Sequence, residues 1–305
     1  MSEPSIDPHT RTDIERLVKR ILQDSGFREP PVDIYGVLET LNLDREFYDL
    51  EDPGLTHTLR HQIIIGAQRL SEIVEKVRLQ ALLFFDEKRV VLDKDLPQIK
   101  HDWAYAHEAG HEIIPWHREF CRGDTVLTLD PTWHELLEAE ANYAASELLF
   151  CGEAFTIDSW NSRPCLASIH ELQQRYRKSL LATARRYIRK GPDRAMILLV
   201  STAWWDPQLS DQPGRVRHLV ISLVFELQFG GLGPEQLRKD VDSYTSRRRG
   251  GPVGEFVYRL QDANGEMRLF FAECFYNGYY VMTLLVEQSR TNSSTIAVAE
   301  RAAIG

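Results

Sequence analysis

The stretch Trp103-Ala104-Tyr105-Ala106-His107-Glu108-Ala109-Gly110-His111-Glu112-Ile113-Ile114-Pro115 decides how the rest of the chain is read. On a helix, residues four apart stand one turn apart on the same face, so His107 and His111 can grip one Zn2+ at roughly 2.0–2.1 Å. Glu108 lies about 100° around the same helix, beside the open position of such a metal without being a ligand. There it can take a proton from a metal-bound water and hand it to a leaving amine. With 10 histidines in 305 residues, a chance His-Glu-x-x-His arises on the order of 0.03 times per chain. The apolar residues around the motif predict a largely buried helix, and Pro115 ends it. Gly110, a poor helix former, predicts that another backbone or the metal site comes close at that point.

A catalytic zinc takes three protein ligands and a water, so a third donor must come from elsewhere in the chain. No Cys-x-x-Cys pair offers one, because Cys121, Cys151, Cys165 and Cys274 stand far apart. Downstream, Thr132 and Glu135 have the spacing of a capping box, which predicts a helix from Trp133 to about Phe150. That helix carries Glu135, Glu138, Glu140 and Glu147. Spacing alone does not choose among them. Glu138 shares a face with Asn142 and Ala145; small Ala141 and Ala145 admit a neighbouring helix, and Asn142 could orient a ligating histidine. The other three acids are read as a solvated face.

Working outward, Asp13 to Gln23 is amphipathic, with Ile14, Leu17, Val18 and Ile21 at helical spacing, and Asp33 to Leu41 reads as a second short helix. Leu82 to Leu92 reads as two strands joined at Asp86-Glu87-Lys88. From Ile169 to Lys190 a helical region gathers Arg175, Arg177, Lys178, Arg185, Arg186, Arg189 and Lys190; it reads as a solvated face, with a phosphate-contacting surface as the alternative. Asp206 to Gly214 is the expected boundary. A proline-started helix follows from Pro234 to about Ser243, then an exposed loop at Arg247-Arg248-Arg249-Gly250-Gly251. Glu255–Gln261, Glu266–Cys274 and Tyr279–Val286 are strand-like and separated by Asn264-Gly265 and Asn277-Gly278, which predicts a three-stranded meander with type I′ turns.

Composition narrows the function classes. Hydrophobic residues at 43% exclude bulk disorder, and 45 acids against 36 bases, a net charge of -9, argue against nucleic-acid binding by the whole-protein field. The longest near-apolar run, Ala195 to Trp205, is too short to span a membrane, and the opening residues lack a basic start and an apolar stretch, so a cytoplasmic chain with reduced thiols is expected.

His107-Glu-Ala-Gly-His111 followed by Glu138-Ala-Glu-Ala-Asn142-Tyr-Ala-Ala-Ser-Glu-Leu-Leu149 resembles the ImmA/IrrE family of zinc metallopeptidases. The resemblance covers about residues 31 to 200. It implies that His107, His111 and Glu138 hold zinc, that Glu108 is the catalytic acid/base and that Asn142 supports a ligand from behind. Pro31-Val-Asp-Ile-Tyr-Gly-Val-Leu-Glu-Thr-Leu41 is similar to the short helix opening the family's core. Arg89-Val-Val-Leu-Asp93 resembles its edge strand, to which a substrate peptide could add. The family's usual Leu-Leu-Met-Pro is Leu148-Leu149-Phe150-Cys151 here, and no helix-turn-helix is evident at the N-terminus.

The implied fold is α+β: a zincin-like core, with a small antiparallel sheet packed on the active-site helices, then a helical region and a C-terminal α+β domain containing the meander. The expected division is an N-terminal helical extension (1–30), the metallopeptidase core with its helical region (31–205) and a regulatory or partner-binding domain (215–305). The implied function is a cytoplasmic zinc endopeptidase that cleaves a protein, by family habit a transcriptional repressor. Tyr105 and His117 come into question as oxyanion donors and are read as structural. Two alternatives stand beside this reading: a non-proteolytic module that binds DNA or protein through residues 169–190, and a zinc hydrolase of small molecules. An edge strand by the metal favours peptide, and a closed pocket favours the small substrate.

Overall fold

A computed structural model gives the architecture, and it describes residues 6–48, 81–118, 131–203, 205, 214–230, 232–245 and 250–288. Cys121, Arg247-Arg248-Arg249 and all of the Asp206–Gly214 stretch except Gly214 lie outside the described residues. The chain is α+β and forms two compact units, Met1–Phe155 and Thr156–Gly305. That division lies well ahead of the Asp206–Gly214 stretch, so the basic helices fall in the second unit.

In the first unit, α1 (Pro8–Asp24) starts on Asp7, whose side chain accepts the N–H groups of His9 and Thr10, and it buries Ile14, Val18 and Leu22. It packs against the helix of residues 131–149, and Tyr143 Oη donates to Glu15 Oε1 at 2.5 Å. Helix α2 (Ile34–Thr40) is capped by Asp33, which accepts the N–H of Tyr35. Strands β1 (Asp44–Tyr48), β2 (Ala81–Phe84) and β3 (Arg89–Asp93) form a sheet in the order β1-β3-β2. β2 and β3 make the expected antiparallel hairpin, whereas β1 runs parallel to β3, so the sheet is mixed. β3 is central among the described strands, with Val90, Val91 and Leu92 fully buried. The expectation that Arg89–Asp93 is an edge strand is therefore corrected: both sides of its backbone are already paired, and among the described strands β2 and β1 lie at the edges.

Helix α3 (His101–Ile113) carries the His-Glu-x-x-His stretch and is entered through a short 3-10 turn, Gln98–Lys100. It ends where Ile114 turns extended, as a residue before proline must. Helix α4 (Pro131–Leu149) begins earlier than expected. Pro131 occupies its first position, where the missing N–H costs nothing, so Thr132 lies inside the first turn. α4 stops after Leu149 because Cys151 and Gly152 both turn left-handed, with φ of +55° and +53°. α5 (Glu153–Trp160) carries the chain across the division.

The second unit contains α6 (Leu166–Tyr176), α7 (Leu180–Lys190), α8 (Leu223–Phe229) and α9 (Pro234–Asp242) with a five-stranded antiparallel sheet. Its strands are β4 (Met196–Thr202), β5 (Val216–Ile221), β6 (Gly251–Gln261), β7 (Met267–Tyr276) and β8 (Tyr280–Glu287), in the order β5-β4-β8-β7-β6. The apolar run from Ala195 becomes β4, buried along its whole length and paired with β8 throughout, so it belongs to the meander's sheet. β6, β7 and β8 are the expected meander, but its turns are not type I′. Of each Asn-Gly pair only the glycine has positive φ: +84° at Gly265 and +91° at Gly278. Asn277 instead accepts the N–H groups of Tyr279 and Tyr280, and Asp262 accepts those of Asn264 and Glu266, so side-chain acceptors shape longer turns. In the basic region, Arg177 separates α6 from α7 in a left-handed conformation, Arg175 pairs with Asp158 at 3.0 Å and Arg186 is buried. No described helix is long and apolar enough to cross a membrane, and the described cysteines Cys151, Cys165 and Cys274 are free thiols.

Candidate metal centre

The site is set by how closely α3 and α4 approach. Gly110 faces the α4 backbone, and a Cβ placed there would stand 2.8 Å from Ala141 O and 3.2 Å from Ala144 Cβ. The backbone approach expected at Gly110 is thus that of α4. Ala141, Ala144 and Ala145 are all fully buried. With no side chain on one helix and methyl groups on the other, the two lie close enough for side chains one turn away to meet.

Those side chains are His107 and His111 from α3 and Glu138 from α4. His107 Nε2 and His111 Nε2 are 3.3 Å apart. Glu138 straddles them, with Oε2 at 3.2 Å from His107 Nε2 and Oε1 at 3.5 Å from His111 Nε2. One ligand atom from each of the three lies within 4.8 Å of the others, and theirs is the group among the described residues that could hold a metal ion. Four tetrahedral ligands at zinc distances stand about 3.3–3.4 Å from one another, the spacing of the two imidazoles here. The backs of the rings are occupied as well: His107 Nδ1 meets Asn142 Oδ1 at 3.1 Å, and His111 Nδ1 meets His117 Nδ1 at 2.9 Å. An Nδ1–H donated to Asn142 leaves the Nε2 of His107 as a lone pair. Where both imidazoles turn Nε2 lone pairs toward the carboxylate, two nitrogens and an anionic oxygen converge on one point, a donor set that fits a divalent ion.

Electrostatics follow the same geometry. Burial works against charging His107, but its hydrogen bond to Glu138 and the nearby carboxylates of Glu108 and Glu138 raise its pKa overall. Burial lowers the pKa of His111, and the charges of His107 and His117 push the same way. Burial opposes ionising Glu138, yet its hydrogen bonds to the two histidines hold its carboxyl well below the usual carboxylate range. Glu108 is buried, and desolvation pushes its carboxyl up to about 7, with His107 opposing and Glu138 assisting the shift. A carboxyl poised there can accept and return a proton near neutrality.

Two acids read as solvated are not. Glu140 and Glu147 are both buried on α4. Residues two apart on a helix point about 200° from each other, so Glu138 and Glu140 serve opposite sides. Glu140 Oε2 accepts from Trp116 Nε1 at 2.6 Å and meets His117 Nε2 at 3.0 Å. His117 is fully buried behind His111, and Tyr105 is buried and packs edge-on against Tyr35 at 5.6 Å. Sequence reading missed the Glu140–His117 pairing because His117 lies beyond the end of α3, where helical spacing no longer says what faces what. The readable signal was a third histidine six residues after His111.

No protein-family model matches the chain, and no curated protein matches it. Among solved structures it is similar to a Mycobacterium tuberculosis transcriptional regulator, with a TM-score of 0.49 and 12% sequence identity over 92% of each chain.

Proposed function

We propose that this chain is a zinc-dependent endopeptidase with a zincin-like core, of the ImmA/IrrE type that its two motifs resemble, acting in the cytoplasm on a protein substrate. The observation that carries the reading is the convergence of His107, His111 and Glu138 beside a buried Glu108 whose carboxyl is pushed up to about 7. Bound zinc would supply a Lewis acid and a water acidified to a pKa of roughly 7. The chain's residues do the rest. His107 and His111 present Nε2 lone pairs, Glu138 contributes the anionic third donor, and Asn142 orients His107. Glu108 takes the proton of the attacking water and delivers it to the departing amine nitrogen, so no strong acid or base is released into solution. An extended substrate would add to an edge strand such as β2, which also packs on α3. By the resemblance, the substrate is a transcriptional repressor and the second unit a regulatory or partner-binding module.

The test is Glu108→Gln, which removes the proton acceptor and no ligand. Co-expressed with candidate repressors, wild type yields a cleaved product and the variant does not, a loss of about 10²–10⁴-fold, while zinc content stays the same. Full cleavage by the variant refutes the mechanism. A module that binds DNA through residues 169–190 is less well supported, because Arg175 is paired with Asp158 and Arg186 is buried.

A further inference from the structure

Behind His111, on the side away from Glu138, stands a line of polar groups that the proposed chemistry does not use. His111 Nδ1 is 2.9 Å from His117 Nδ1, and His117 Nε2 is 3.0 Å from Glu140 Oε2. Trp116 Nε1 reaches that same oxygen at 2.6 Å. His117 has no solvent exposure, and Glu140 is 4% exposed.

The protons along this line follow one from another. An indole N–H only donates, so Glu140 Oε2 is an acceptor toward Trp116. As a carboxylate it accepts from His117 Nε2–H too. A neutral imidazole carries one N–H and one lone pair, so His117 Nδ1 is left to accept from His111 Nδ1–H. His111 then has its lone pair on Nε2, the nitrogen that faces His107 and Glu138. Run in reverse, the same line puts a hydrogen on His111 Nε2 and closes the site to a cation. His107 is set by a single partner, Asn142, whereas His111 depends on a relay.

We propose that His117 and Glu140, clamped by Trp116, form a positioning relay that fixes the tautomer of His111 and keeps the metal site in its ligating state. The inference rests on the metallopeptidase reading of the same triad and adds to it residues that never touch substrate or ion. A cluster that only fills space would need the volume of these side chains and not the direction of their protons.

The experiment uses the full chain loaded with zinc. Long-range 1H–15N spectra of histidine-labelled wild type should place hydrogen on His111 Nδ1 and on His117 Nε2. Zinc affinity is then read by chelator competition in wild type, Glu140→Gln, Glu140→Leu and His117→Phe. The glutamine amide oxygen can still accept from both donors, so Glu140→Gln should stay within about threefold of wild type, whereas Glu140→Leu and His117→Phe should lose about 10- to 100-fold. A His117 carrying its hydrogen on Nδ1 overturns the relay, as does a folded Glu140→Leu that binds zinc as tightly as wild type. If the leucine variant fails to fold, the wild-type spectrum and the glutamine variant still decide. A wild type that holds no zinc fails the metal reading itself, a result distinct from tight binding with the wrong tautomer.

Discussion

Replacing Gly110 by alanine adds one methyl at the contact that spaces α3 from α4. The new Cβ would stand 2.8 Å from Ala141 O, 3.2 Å from Ala144 Cβ and 3.3 Å from Ala141 Cα. Non-bonded heavy atoms rest about 3.5–4.0 Å apart, and two of these three neighbours are main chain that no rotamer can move. The helices must separate by roughly half an ångström. Alanine regains about 0.8–1 kcal/mol of helix propensity, against about 1–3 kcal/mol for overpacking, which leaves a net loss of about 1 kcal/mol. In a unit of this size that lowers the melting midpoint by about 2–4 °C. The effect on metal is larger in proportion. His107 and His111 ride on α3 and Glu138 on α4, and metal–ligand distances tolerate only about ±0.2 Å. Zinc affinity should therefore fall by at least about tenfold, equivalent to 1.4 kcal/mol. Scanning calorimetry of the chelated protein and competition with a fluorescent zinc chelator read the two effects separately. A Gly110→Ala protein that melts at or above wild type and binds zinc equally well would refute the claim that this contact sets the geometry.

Other substitutions probe other links in the argument. Glu138→Ala should strip zinc during dialysis, with a loss beyond the 10- to 100-fold typical of an outer partner; unchanged metal content by elemental analysis would move the third-ligand role to another acid. Arg177 sits exposed in the left-handed cap of α6 at φ +51°, a conformation that costs an L-residue about 1–2 kcal/mol, so Arg177→Gly should raise the stability of the second unit by about 1 kcal/mol in chemical denaturation. Asp262 resists ionisation through burial, but the N–H groups of Glu266 and Asn264 and the guanidinium of Arg268 outweigh that and lower its pKa. A lowered carboxyl pKa stabilises the fold above the unfolded value of about 3.9, and the benefit disappears as pH falls through the folded value. The melting gap between wild type and Asp262→Asn should be open at neutral pH and should narrow below about pH 4; a gap that stays constant into strong acid would show that charge plays no part.

Much of the local structure was legible in the residues. The amphipathic run Asp13–Gln23 lies within α1, the Asp33–Leu41 stretch spans α2, the Leu82–Leu92 run is a hairpin, and the strand-like runs after Glu255 form a meander. The type I′ expectation failed because Asp262 and Asn277 offer side-chain acceptors that stabilise longer turns without a left-handed asparagine.

What the chain by itself determined is whatever depends on neighbours a few positions away: that His107 and His111 share a helical face, that Glu108 stands beside it, and that Gly110 needs a close neighbour. Tertiary structure alone decided which backbone that neighbour is, which α4 acid reaches the histidines and which one braces His117, and that β3 is central while β4 joins β8. The physical reason is that helical and strand periodicity say which residues share a face and not what that face meets. The partner is selected by shape and charge contributed from residues distant in the chain, and no local pattern records it.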